Sequence, residues 1–141
     1  MGTGDRPYEL IEPPSMRETP VVVEVPHAGL AVPPEILAQI AVPTSSFARD
    51  ADLFVDKLYE DAPLAGATLL RGTASRYVID LNRAEDDVDA ESVEGGSPTA
   101  RAPRGVIWRL SGDGGKVFDK PLSRAELERR LDAFQIGRAH V

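Results

Sequence analysis

The stretch "VVVEVPHAGL", residues 21–30, carries the reading of the fold. Val21, Val22, Val23 and Val25 are β-branched residues that suit a pleated, packed surface, so a strand is expected over 21–25. Only Glu24 interrupts the apolar run, and the strand is expected to be buried on both faces, as parallel strands are. Pro26, His27, Ala28 and Gly29 then form a loop. Gly29 lets the backbone turn sharply and leaves room for a ligand or metal to approach. Neutral imidazole is the commonest protein ligand for zinc, yet a single histidine at a strand end is more often a partly exposed loop residue. The residue by itself leaves both readings open.

Working outward, "PEILAQIA" (34–41) reads as a short helix with Pro34 in its first turn, and "DADLFVDKLYEDAP" (50–63) as a second helix ended by Pro63. "GATLLRG" (66–72) and "SRYVIDLNR" (75–83) read as strands, the latter with an apolar middle. After Arg83 the chain turns acidic and small through residue 104, an irregular excursion that is either solvent-exposed or folded over a site. "GVIWRL" (105–110) is expected to be a strand that pairs with "KVF" (116–118) across the turn "SGDGGK" (111–116). "LSRAELERRLDAFQ" is an amphipathic helix, with Ser123 as N-cap, Glu126 completing a capping box, and Leu127, Leu131 and Phe134 on one face. Residues 1–20 are rich in Pro, Glu and Gly and are expected to form a poorly ordered lead-in. Strands alternating with helices predict an α/β fold, a mixed, largely parallel sheet flanked by helices, with ligands at the strand C-termini.

The bulk properties narrow the function. The 141 residues carry a formal net charge of −7, so nucleic acid and anionic membranes are not expected partners. No run approaches the length of a membrane span and the N-terminal residues lack the basic-then-apolar layout of a signal peptide, which makes a cytoplasmic location the expectation. The absence of cysteine excludes disulfides, thiolate metal sites and cysteine nucleophiles. The closing "IGRAHV" follows a helix-breaking pattern change, and the codons ATC GGA AGA GCA CAC GTC of a common sequencing adapter encode those six residues. The expectation is therefore that residues 135–141 are a non-native tail and the natural protein continues past Phe134. His140 then plays no part in the chemistry, and His27 stands alone.

Asp50 and Asp52 open the second expected helix, where a carboxylate can cap the N-terminus or supply a hard oxygen ligand beside His27. In "SRYVIDLNR", Arg76 and Arg83 bracket the apolar segment, and Asn82 precedes Arg83. A guanidinium can grip a carboxylate bidentately or stabilise a developing oxyanion; the alternative is an arginine paired with the acidic loop. No serine lies in a G-x-S-x-G elbow, and "SGDGGK" lacks the Walker spacing of a phosphate loop. Trp108, within an apolar run, is expected in the core.

In order, "VPHAGLAVPP", "DADLFVDKLY", "SRYVIDLNR", "RGVIWRLSGDGG" and "KPLSRAELERRL" resemble the N-formylglutamate amidohydrolase family, over about Val21 to Phe134. The resemblance implies an N-terminal half of a cytoplasmic hydrolase domain with a hydrolase-like, zinc-carboxypeptidase-like fold. It implies zinc as cofactor and a small-molecule N-acyl amino acid such as N-formylglutamate as substrate, cleaved in histidine degradation. By motif, His27 and Asp52 become the metal ligands, with Asp50 as competitor for the carboxylate. Asn82 and Arg83 resemble the pair that holds a substrate carboxylate, and Arg76 the arginine that polarises the scissile carbonyl. The family's further histidine ligand and glutamate base fall outside this stretch, so the chain alone is expected to be inactive and a weak metal binder at best. An aspartoacylase-like deacylase, or a metal-free module gripping an acidic metabolite with Arg76 and Arg83, are the alternative functions.

Overall fold

A computed structural model describes residues 6–98 and 103–134; the tail expected to be non-native, with His140, lies outside the described residues. Three strands, β1 (Tyr8–Ile11), β2 (Val22–Val25) and β3 (Thr68–Gly72), form one sheet in the order β1-β3-β2. β3 pairs parallel with β2, placing Val23 opposite Leu69 and Val25 opposite Arg71. It pairs antiparallel with β1, placing Leu10 opposite Leu70. The sheet is mixed as expected, but with one pairing of each kind rather than a parallel majority. The long crossover that a parallel pair demands runs through α1 (Pro34–Leu37), α2 (Thr44–Asp50) and α3 (Val55–Leu58).

Several expectations need correction. Residues 8–11 lie within the stretch read as a poorly ordered lead-in, yet they form β1, because β3 offers them a free edge. β2 is not buried on both faces: Val22 is 45% exposed and only Val25 is buried, since β2 pairs only with β3 among the described residues. The helix expected over 50–63 does not exist as one unit. Asp50 ends α2, Ala51 is extended, and Phe54 adopts a left-handed φ of 66° before the single turn of α3. Tertiary bonds override the local periodicity there: the backbone N–H of Asp52 donates to the His27 carbonyl at 2.9 Å, and Gly112 N–H donates to the Asp50 carboxylate at 2.8 Å. Asp50 is thus a helix C-terminal residue, not an N-cap.

"SRYVIDLNR" is no strand either. Tyr77, Val78, Ile79 and Asp80 are all buried in succession, which a flat strand with one covered face cannot achieve. Local side chains capture the backbone: Ser75 Oγ accepts from Tyr77 N–H at 3.2 Å, and Asp80 Oδ1 from Asn82 N–H at 2.9 Å. Such bonds compete with ladder formation. Residues 105–110 form no continuous strand; they carry isolated bridges, among them Leu110 with Lys116 across the 111–115 turn, which closes through Ser111 N–H to the Gly115 carbonyl at 2.8 Å. The described part of the acidic excursion folds back on the body, contributing Val88 and Val93 to the core.

The core gathers Tyr77–Ile79, Val106–Trp108, Phe118 and Leu122 under α4 (Arg124–Phe134). Ser123 caps α4 by accepting from Glu126 N–H at 3.1 Å, and Leu127 is buried with Leu131 and Phe134 half-buried beside it. Glu126 does not return to the cap. Its carboxylate pairs with Arg129 and, at 3.0 Å, with the buried Arg130, which also donates to the Val78 carbonyl at 3.0 Å. No helix among the described residues is long and apolar enough to cross a membrane.

Candidate active site

The loop after β2 runs alongside the chain that leaves β3. Ala31 N–H donates to the Thr73 carbonyl at 3.0 Å and Ser75 N–H to the Ala31 carbonyl at 2.8 Å. The approach is so close that a Cβ on Gly29 would lie 2.2 Å from the Thr73 carbonyl oxygen. Glycine at 29 is therefore a packing requirement, and it brings His27 over residues 76–80.

His27 is 3% exposed and sits between two carboxylates. Its Nδ1 lies 3.7 Å from Asp52 Oδ2, and its Nε2 lies 2.9 Å from Asp80 Oδ1. The second approach is short but off the axis of the ring N–H, so Nε2 has no aligned hydrogen-bond partner. An ionised oxygen at that distance still repels a nitrogen lone pair and favours a proton on Nε2. In the neutral ring this leaves Nδ1, the atom nearer Asp52, as the acceptor.

Asp80 is completely buried. Its Oδ2 accepts from Trp108 Nε1 at 2.8 Å and from Arg76 Nη2 at 3.0 Å, and its Oδ1 accepts from Asn82 N–H at 2.9 Å. Burial acts to raise its pKa, but the His27 contact and charge, the Asn82 N–H and the Arg76 guanidinium outweigh it and hold the carboxyl well below the usual range. Arg76 is fixed on three sides: Nη2 on Asp80, Nη1 on the Asp50 carbonyl at 3.2 Å, and its guanidinium carbon 4.5 Å from the centre of the Trp108 ring. Nη1 also lies 3.9 Å from Asp52 Oδ1.

The two candidates in "DAD" separate here. The Asp50 carboxylate accepts the Tyr77 hydroxyl and Gly112 N–H, and a Cβ on Gly112 would lie 2.3 Å from its Oδ1. Burial, together with the bond to Asp50 and its charge, pushes the Tyr77 hydroxyl pKa far up and keeps it a donor. Asp50 is thus a structural tie to the 111–115 turn. Asp52, with a side chain 51% exposed, is the carboxylate that faces His27.

His27 Nδ1 and Asp52 Oδ2 suit one metal ion. Two ligands of a tetrahedral zinc at about 2.0–2.2 Å are separated by roughly 3.3–3.6 Å, close to the spacing found. They supply two corners of such a site; no group of three histidine, cysteine or acidic residues able to hold an ion occurs among the described residues. Asn82, exposed, joins the cluster through its backbone, while Arg83 Nε donates to the Arg104 carbonyl at 2.9 Å. The fold brings His27, Asp52 and Arg76 together. The sequence did not single out Asp80 or Trp108 as site residues, although Asp80 stands two residues before Asn82 in the same motif.

Comparison with known proteins places this arrangement in context. The chain is 29% identical to an N-formylglutamate deformylase of Pseudomonas putida over 121 residues, 86% of this chain and 42% of that protein. It is 37% identical over 68 residues to the N-formylglutamate deformylase of Pseudomonas aeruginosa, which covers 48% of this chain and 25% of that one. The crystal structure of the N-formylglutamate amidohydrolase of Ralstonia eutropha JMP134 superposes with a TM-score of 0.81 at 33% identity, over 95% of this chain and 48% of that one. The chain therefore spans about half or less of the length of these relatives. The profile of the N-formylglutamate amidohydrolase family matches residues 19–134, and with the His27–Asp52–Arg76 cluster lying inside that span, the chain belongs to this family.

Proposed function

We propose that this chain forms the N-terminal half of a zinc-dependent amidase that hydrolyses the amide of an N-acyl amino acid, N-formylglutamate being the first candidate. One observation carries the reading: buried His27 faces Asp52 with Nδ1 while ionised Asp80 stands against Nε2. That is the carboxylate–histidine arrangement that orients an imidazole for a metal.

His27 and Asp52 would hold the ion. When bound, it would supply a water that ionises near neutral pH and a Lewis acid for the amide carbonyl. Asp80 keeps the His27 ring from turning and keeps the proton on Nε2. Arg76, immobilised by Asp80, the Asp50 carbonyl and the Trp108 ring, presents a fixed positive charge beside Asp52. Such a charge stabilises an oxygen that becomes negative as the carbonyl is attacked, without reorganisation cost. Asn82 and Arg83 take the substrate carboxylate. A third ligand and a general base are expected from outside the described residues, so this chain alone is expected to be inactive and at best a weak metal binder.

The test is zinc affinity, measured by competition with a chromophoric chelator, for the chain and its His27→Ala variant. A loss of at least tenfold in the variant is expected, within the range set by loss of a ligand or its partner. Equal affinities would remove the metal and leave a metal-free module that grips acidic metabolites through Arg76 and Arg83. In an active family member carrying the same motif, the arginine matching Arg83 should, when replaced by alanine, raise KM for N-formylglutamate more than for its side-chain amide.

A further inference from the structure

We infer that Trp108 is a positioning residue, whose indole N–H sets the Asp80 carboxylate and through it the tautomer and orientation of His27. The inference deepens the metal reading above, and one of its tests does not depend on that reading.

A carboxylate has about four lone-pair sites. On Asp80 two belong to Oδ2 and are filled by Trp108 Nε1 at 2.8 Å and Arg76 Nη2 at 3.0 Å. Of the two on Oδ1, Asn82 N–H fills one at 2.9 Å. The remaining side of Oδ1 faces His27 Nε2, 2.9 Å away but off the ring N–H axis, so the carboxylate acts on that nitrogen through its charge. Arg76 and Asn82 flank Asp80 within residues 75–83, and Trp108 reaches it from 28 residues along the chain; together they fix the plane of the carboxylate, and without the indole it can turn about its Cβ–Cγ bond. Asn82 N–H is a backbone bond two residues on, and Arg76 also serves Asp50. Trp108 Nε1 is committed to Asp80 alone.

A tryptophan is not needed here merely to fill space. Phenylalanine would occupy the core beside Tyr77, 6.0 Å away between ring centres, and would still lie under the Arg76 guanidinium. Only the indole brings a donor to that point, in a chain with a single tryptophan. The side chain is 6% exposed, so water does not substitute for the missing N–H.

The experiment compares the intact chain with Trp108→Phe and with the chain carrying 3-benzothienylalanine at 108, which keeps the shape of tryptophan but replaces N–H by sulfur. The ring nitrogens of His27 are read by long-range proton–nitrogen correlation at alkaline pH, with His27→Gln distinguishing them from His140. The Nε2–H tautomer should dominate in the intact chain and fall by at least twofold in both substituted chains. Zinc affinity, by chelator competition, should fall about tenfold, the lower end of what loss of an orienting partner costs. In an Asp80→Ala background, which leaves the indole N–H no carboxylate to set, Trp108→Phe should cost nothing further on either readout. A general loosening of the core would lower affinity equally in both backgrounds, and that result, or an unchanged tautomer in the sulfur-substituted chain, overturns the inference. If the intact chain binds zinc no better than His27→Ala, the metal reading fails, and the tautomer comparison still decides for or against Trp108. Should Trp108→Phe not fold, the sulfur isostere carries the test.

Discussion

Replacing Asp80 by asparagine removes one charge and one acceptor from a point with no solvent access. The amide has a single oxygen, and the lower-cost placement puts it on the Oδ2 side, where Arg76 and Trp108 both donate. The NH2 group then faces Asn82 N–H and His27 Nε2. Three losses follow: the Arg76 bond is no longer charge-assisted, the Arg76 guanidinium, its side chain 16% exposed, keeps no ionised partner in the cluster beyond the distant Asp52, and Asn82 N–H meets a donor. At about 1–3 kcal/mol per unsatisfied buried group and a comparable sum for the broken pair, the variant should lose about 3–5 kcal/mol. That is a large part of a typical domain stability of about 5–15 kcal/mol. The same NH2 group obliges His27 Nε2 to accept, which moves the ring proton to Nδ1 and removes the lone pair directed toward Asp52. Zinc affinity should therefore fall by about 10–100-fold.

The pH dependence has a definite sign. The Asp80 carboxyl is held below its ordinary value in the folded chain, so its contribution to stability is present above the unfolded pKa of about 3.9 and is lost as the pH falls toward the depressed native value. Urea unfolding followed by Trp108 fluorescence, from neutral pH down to about pH 3, should show the gap between native chain and Asp80→Asn constant at first and narrowing below about pH 4. A gap under about 1 kcal/mol at neutral pH, or one that stays constant into acid, would refute the assignment of Asp80 as the ionised centre of the cluster.

Two further outcomes follow from the same geometry. Asp50→Asn should lower stability by about 2 kcal/mol, since the Tyr77 hydroxyl and Gly112 N–H lose a charged acceptor, and should leave zinc affinity unchanged; Asp52→Asn should do the reverse, costing under about 1 kcal/mol while weakening zinc at least tenfold. Chemical denaturation and chelator competition on the pair read both effects. On α4, Glu126→Ala strands the buried Arg130 without its ion-pair partner and should cost about 3–5 kcal/mol in thermal or urea unfolding, whereas Arg129→Ala, on the exposed side of the same carboxylate, should cost under about 1 kcal/mol.

The legibility of the site varies with the range of the interactions that make it. His27, Arg76 and a carboxylate in "DAD" are readable because their residue types are rare or chemically pointed, and because glycine and proline mark the loop after β2. The choice between Asp50 and Asp52 is not readable, since the partners that separate them, Tyr77 and Gly112 on one side and His27 on the other, are distant in sequence. Asp80 is missed for a related reason. In a segment read as a strand, nothing local shows that Asp80 turns the chain at Asn82 or that Trp108 and Arg76 converge on its other oxygen.

By itself the sequence determined an α/β chain with a strand ending just before His27, a strand within 66–72, a capped amphipathic helix running to Phe134, and a set of chemically pointed residues in His27, Asp52 and Arg76. These depend on β-branched runs, capping residues and periodicity, which act over a few residues. The tertiary structure decided that residues 75–83 form a buried turn rather than a strand, that the 50–63 segment breaks at Ala51–Phe54, and that β1 completes the sheet. In each case backbone N–H groups found partners far along the chain, or in side chains such as Ser75 and Asp80, and these bonds outweighed a local propensity that amounts to tenths of a kcal/mol per residue.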